Sequence, residues 1–229
     1  MTWSVNDILL FTQFLLRKNQ SASITAKNLF YAWNSEQSSY FDDLKGRWES
    51  RNNGKEGNNT GLLNNETILT ALTPFTIQTV LSIIAHKITK PENFAYELGL
   101  RIDGQQVFQL NHGQKYAVTN SVIDPPSTDE DKYYAIPYQN YYDLLPTTLP
   151  TASITTAELD YLVQPTDIIW GFSFDAQNRQ VYNVGNSVQP QWLQGDIITI
   201  TKRTLSSFGV SYHDKDFENF GKTTQATGE

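Results

Sequence analysis

A chain of 229 residues with 17 Lys and Arg against 24 Asp and Glu carries a formal net charge of −7, and it is 39% apolar and 13% aromatic. That is too aromatic and too weakly charged for a disordered chain, and too acidic for a protein that coats nucleic acid by neutralising phosphates. Cysteine is absent, which excludes disulfides, thiolate zinc sites and cysteine nucleophiles.

The length suits one large domain or two small ones. Much of the polarity is amide, with 18 Asn and 16 Gln. No run approaches the ~18 apolar residues of a membrane span. The N-terminal apolar stretch has no basic flank before it, and Arg17 and Lys18 come after it. It therefore reads as the start of a mature, intracellularly made protein rather than as a secretory signal.

In chain order, the spacing predicts a helix over 6–18 capped by Asn6, with Ile8, Phe11 and Leu15 on one face. A long helix follows over 24–48, capped by Ser23. Leu29, Phe30, Trp33, Gln37, Tyr40, Phe41, Leu44 and Trp48 recur in it at helical period. The Gly/Asn-rich stretch 49–61 predicts a loop, and a short helix over 65–72 should stop before Pro74. The period then changes to two. Segments within 75–83, 94–103, 106–110, 116–123, 131–145, 157–165, 168–175 and 179–184 read as strands. Asp103-Gly104, His112-Gly113, Asp124-Pro125-Pro126, Pro146 and Asp175–Asn178 divide them. A C-terminal helix should bury Trp192, Leu193, Ile197, Ile198, Leu205 and Phe208, with Gly209 ending it. The expected fold class is α+β: terminal helices forming a bundle with a central antiparallel β-rich insertion. The expected parts are N-terminal helices over 1–75, a β-rich region over 76–187, and a C-terminal helix and tail over 188–229 that bundles with 1–75, all within one domain.

Catalytic patterns are missing one by one. There is no G-x-S-x-G, P-loop, H-E-x-x-H or G-x-G-x-x-G. Asp42-Asp43, Asp129–Asp131 and the alternating Asp214, Asp216 and Glu218 read as solvated surface, although a hydrolase using Asp129, Asp131 or Asp160 needs only carboxylates. His86, His112 and His213 have no partner at a recognisable spacing, so no catalytic, metal or cofactor residue is assigned. The Tyr-rich segment 133–142 reads as one strand. Tyr134, Ile136, Tyr138 and Tyr142 share one face, and Tyr133 and Tyr141 lie opposite. Such a strand serves either as a core element packed against a subunit or as a glycan-binding platform.

The order of these elements resembles the head-to-tail connector (adaptor or ring) proteins of short-tailed, crAss-like bacteriophages. The likeness rests on "DILLFTQFLLRKNQSASITAKNLFYAWNSEQSSYFDDL", "KPENFAYELGLRI", "YLVQPTDIIWGFSFDAQNRQVYN" and "SVQPQWLQGDIITITKRTLSSFGVSYHDKDFENF". The resemblance implies a non-enzymatic virion protein of the neck, made in the host cytoplasm. It would be a ring subunit, twelve to a ring, joining the portal to further neck or tail rings. DNA would pass without sequence-specific binding, and no membrane or cofactor would be involved. An acidic, Lys/Arg-poor surface suits a channel that lets phosphates slide. Trp48, Tyr138, Tyr142, Phe217 and Phe220 are the expected subunit or partner contacts. A glycan- or surface-binding β module is the rival reading.

Overall fold

The computed structural model describes residues 3–18, 24–52, 61–121, 132–146 and 155–209. These form a mixed α+β structure with five helices and an eight-stranded sheet among the described residues. The chain divides into two compact units. Unit 1 comprises Met1–Pro74 with Pro165–Glu229, and unit 2 comprises Phe75–Gln164. The β region was expected to run to 187. Residues 165–187 instead belong with the helices.

In unit 1, α1 (Val5–Lys18) starts on Ser4 rather than on Asn6. The Ser4 hydroxyl accepts from the Asp7 amide at 3.2 Å, and the Asp7 carboxylate accepts from the Ser4 amide at 2.8 Å. This reciprocal pair satisfies two donors that the first turn leaves open. Asn6 is freed for another task, described below. Helix α2 (Ala26–Asn52) begins at Thr25, whose hydroxyl accepts from the Asn28 amide at 3.3 Å; the expected cap, Ser23, lies outside the described residues. Its predicted apolar face is real: Leu29, Phe30, Trp33, Phe41 and Leu44 are buried.

That face meets α5 (Gln194–Ser207) through a line of polar bonds set into the apolar contact. Trp33 Nε1 donates to Thr201 Oγ1 at 3.2 Å, and Tyr40 donates to Asp196 Oδ1 at 2.8 Å. At the end of the line, Arg203 bonds Asp43 at 2.7 Å. Gln37 is fully buried and fully used: its amide N–H groups reach Asn34 Oδ1 and the Thr166 carbonyl, and its Oε1 accepts from Trp192 Nε1. A buried amide needs such complete pairing to be tolerated. Helix α5 buries Ile197, Ile200, Thr201, Thr204 and Leu205. Leu193 and Phe208, expected in the core, are exposed. Thr201 and Thr204 take core places because their hydroxyls donate back to the Ile197 and Ile200 carbonyls. Gly209 ends the helix at φ +73°, as its sequence position implied. Helix α3 (Gly61–Leu72) stops before Pro74, also as expected.

In unit 2 the strands are β1 (Thr76–Ile84), β2 (Lys87–Thr89), β3 (Phe94–Ile102), β4 (Gln105–Gln106), β5 (Phe108–Gln109), β6 (Tyr134–Pro137), β7 (Tyr141–Leu145) and β8 (Thr156–Val163). Their order is β4-β3-β8-β1-β2-β7-β6-β5. Strands β4 and β5 stand at opposite ends of that order, yet only Val107 separates them in sequence. The two edges are therefore one bent segment, and the sheet curls into a small, nearly closed barrel, which leaves fewer edges open. Val107 is buried at the bend and donates to the Leu100 carbonyl at 2.9 Å. Two tight turns need positive φ at both central residues: Ala85-His86 and Asp103-Gly104. Both match the hairpin geometry that follows strand twist.

Two strand expectations fail here. Residues 116–123 were expected extended, but His112–Thr119 form α4. Asn111 accepts from the Gln114 amide, and Gln114 Oε1 accepts from the Asn111 amide. This capping box outweighs the β-branched residues that followed it in the sequence. The Tyr-rich segment is likewise two strands, β6 and β7, turning at Gln139-Asn140.

Candidate functional site

The hairpin changes what the tyrosines can do. Register places Tyr142 opposite Pro137 and Leu144 opposite Ala135, on the barrel's inner side. Tyr142 is buried; burial, then the nearby Glu97 carboxylate, push its hydroxyl far above its ordinary pKa. It is not a surface contact residue, which corrects the expectation. Tyr138 is half-buried, and its ring is already engaged. Tyr141 stacks on it at 4.7 Å with 11° between planes, and His112 meets it edge-on at 4.8 Å. The Lys87 ammonium sits 4.8 Å from the Tyr141 ring centre. A sugar platform needs an open ring face, and these contacts occupy the pair. Trp48 is half-buried near the end of α2. Phe217 and Phe220 lie outside the described residues.

His86, His112, Asp143 and Asp160 are engaged in ion pairs or ring contacts. Lys115 of α4 reaches Asp143 at 2.8 Å, and His86 lies 3.6 Å from the other Asp143 oxygen. Its bond to Asp143 raises the Lys115 pKa. Asp160, one of the conjectural hydrolase residues, is held by Arg101 at 2.8 Å. Asp129, Asp131, His213, Asp214, Asp216 and Glu218 fall outside the described residues. Among the described residues no three His, Asp or Glu side chains gather as metal ligands would, and no helix is long and apolar enough to cross a membrane.

Two concavities stand out among the described residues. In unit 2 the barrel seam opens where β4 covers only Arg101 and Ile102 of β3. Phe94, Ala95, Tyr96 and Glu97 form one side of a shallow cavity of about 170 Å³, with Gln109 and Pro137 opposite. Lys90 lies 4.9 Å from the Phe94 ring centre and 4.6 Å from that of Tyr142, and it donates to the Tyr138 carbonyl at 2.7 Å. Desolvation lowers its pKa. In unit 1 an open groove of about 570 Å³ runs between α3 and the first turn of α5, lined by Glu66, Thr70, Leu193 and Asp196. Burial raises the Asp196 pKa, against the Tyr40 bond, which lowers it.

The most distinctive surface lies elsewhere in unit 1. Strands β9 (Phe172–Phe174) and β10 (Gln180–Tyr182) form a lone two-stranded hairpin. Its side chains are exposed on both faces: Phe172 and Phe174 point one way, Val181 the other. A free two-stranded hairpin is marginal in water, so its base must hold it. Trp170 stacks near Phe172 and Tyr182, with 28° between planes in each case, and its Nε1 donates to Asn6 Oδ1 at 3.3 Å. This is the task of Asn6. The Asn183 amide donates to the Gly171 carbonyl at 2.9 Å, and the Gly171 amide donates to Ser187 Oγ at 2.9 Å.

No family model matches the chain, and no curated protein matches it either.

The turn of the hairpin is tied by Asp175. One carboxylate oxygen accepts from the Gln177 and Arg179 amides, each at 2.9 Å, and the other accepts from Arg179 Nε at 2.8 Å. The Arg179 backbone bond leads the causes that hold Asp175 below its usual pKa of 3.8. A depressed carboxylate adds stability that is complete above the unfolded value and is lost as pH falls through the folded one. Acidification below pH 3.8 is therefore expected to loosen this turn. The Gln177 and Arg179 amide resonances should move only in that range, and Asp175→Asn should abolish the transition. Amides that stay still in the wild-type chain would refute the tie.

Sequence reasoning read 168–175 as one more strand of the β region and did not single out Trp170, Phe172 or Phe174. The alternation Trp170, Phe172, Phe174 was the available signal, and it is the pattern of an apolar strand face. Alternation alone does not tell which face finds a cover.

Proposed function

We propose that this chain is a non-enzymatic structural protein of a virion, a subunit of a cyclic ring in the neck of a short-tailed bacteriophage. It would join the portal to further neck or tail rings and leave a channel for DNA. In this reading the terminal helices form the bundle that packs the body of each subunit, and the barrel and hairpin make the contacts outward. The observation that carries the reading is the uncovered apolar hairpin of unit 1, standing on a rigid, fully bonded base. Exposed apolar surface of this kind marks a face that another molecule covers. The resemblance of four long segments to connector proteins names the kind of assembly. The acidic balance of the chain supports passage of DNA rather than its capture.

The test is quantitative mass spectrometry of purified particles. The chain should be present at about the copy number of the portal. Its absence from intact particles, or turnover of a substrate by the isolated chain, would end the proposal.

A further inference from the structure

We propose that the seam of the unit 2 barrel is a binding site for a carboxamide group, whose N–H donates to Glu97 and whose carbonyl accepts from Gln109. The proposal goes beyond the ring reading and does not rest on it. Glu97 and Gln109 stand on opposite sides of the seam cavity of about 170 Å³.

Glu97 Oε2 is the feature that calls for a ligand. It is cut off from solvent and has no hydrogen-bond partner among the described residues. Leaving a buried carboxylate oxygen without a donor is costly, and buried polar atoms are nearly always paired. The groups around it do not supply the donor. Lys90 gives its ammonium to the Tyr138 carbonyl at 2.7 Å and to the Phe94 and Tyr142 rings, 4.9 and 4.6 Å from their centres. It makes no ion pair with Glu97 among the described residues. The Tyr142 hydroxyl lies close to the carboxylate, but one O–H serves one oxygen, and Oε2 remains open.

The lining narrows the ligand. A second cation is opposed by the Lys90 charge, which already acts on Glu97, so the donor is neutral. A sugar lacks a ring to lie on, because Phe94 is stacked on Tyr161 and capped by Lys90. Water alone fits poorly. A cavity of this size holds several molecules at ~30 Å³ each, every one needing about 2–4 polar partners, and the Ala95 and Pro137 side chains offer none. Gln109 is exposed on β5, so its amide can turn to donate across the seam. A neutral group with an N–H at one end, a carbonyl at the other and a small apolar flank meets all of these demands, and a carboxamide is that group.

The test titrates propionamide into the full-length, nitrogen-15-labelled chain and follows the backbone amides of Ala95 and Glu97 and the side-chain amide of Gln109. Saturable shifts confined to the seam are expected. Methylammonium, acetate and propanol, which carry a cation, an anion and a lone hydroxyl, should bind several-fold more weakly. Glu97→Met keeps the side-chain length and removes both oxygens, and it should abolish saturation. Gln109→Ala, at an exposed position that leaves the fold intact, should weaken binding several-fold and carries the test should Glu97→Met fold poorly. The proposal is overturned if propionamide does not saturate, if methylammonium binds as tightly, or if Gln109→Ala binds as well as the unaltered chain. A second arm uses N-acetylglutamine methylamide. Tighter binding than propionamide assigns the carboxamide to a peptide segment, and weaker binding assigns it to a free small molecule. None of these outcomes bears on the presence of the chain in particles, so the ring reading stands or falls separately.

Discussion

Trp33→Ala is expected to destabilise unit 1 by about 3–5 kcal/mol, the largest loss of any single truncation in the helical part. Trp33 is fully buried and is the largest of the fully buried side chains. It sits in the middle of α2, where its indole fills the contact with α5 and its Nε1 donates to Thr201 Oγ1. Truncation removes the ring and leaves a cavity between two rigid helices, which relax only partly. The hydrogen bond is the smaller share. Thr201 donates its own proton to the Ile197 carbonyl, so losing the indole strands no donor on Thr201. Trp33→Phe separates the two effects: it keeps most of the volume and should cost about 1–2 kcal/mol. All five tryptophans lie in residues 1–74 and 165–229, so indole fluorescence follows unit 1 alone during urea unfolding. A loss below ~1 kcal/mol for Trp33→Ala would mean that α2 and α5 are not packed as described.

How much of this was legible beforehand depends on the range of the physics. The period of α2 was readable because eight apolar or amide positions repeat over many turns, and no local rival signal interferes. The Asp103-Gly104 turn and the Gly209 stop were readable because positive φ restricts residue choice. Local capping decided the misses. Ser4 with Asp7, and Asn111 with Gln114, each satisfy two backbone donors at once, and both boxes were passed over. The Tyr segment misled because period-two alternation looks the same along one strand and across a two-residue turn. Only the β6–β7 register, with Tyr142 opposite Pro137, and its burial show that Tyr142 faces inward. The candidate surface was hidden for a different reason. Whether Phe172 and Phe174 are covered depends on partners distant in sequence, and alternation does not encode coverage. The buried amide Gln37 sat correctly on its predicted face, although its partners at Thr166 and Trp192 are over a hundred residues away.

Gly171→Ala should be the second severe change, and it bears directly on the base of the exposed β9–β10 hairpin. A Cβ built at Gly171 would collide with the carbonyl carbon and oxygen of Asn186, and would lie 2.7 Å from its Cβ. Two of these atoms are backbone, so no rotamer change removes the clash. The short 3₁₀ turn Val184–Asn186 must move away from the strand instead. That movement strains the Gly171 amide bond to Ser187 and the Asn183 bond to the Gly171 carbonyl, the two bonds that close the hairpin base. Overpacking of this kind costs about 1–3 kcal/mol and sometimes more, and here the upper end is expected because backbone meets backbone. Trp170 is the neighbouring residue, stacked near Phe172 and Tyr182, so its near-ultraviolet signal should weaken even where the helical signal persists. Ser187→Ala is the milder companion: it removes the hydroxyl that accepts from the Gly171 amide and donates to the Asn183 carbonyl, and should cost about 1–2 kcal/mol. An undiminished near-ultraviolet signal with unchanged stability would mean that the Val184–Asn186 turn moves aside without loss, and the account of a fixed hairpin base would fall.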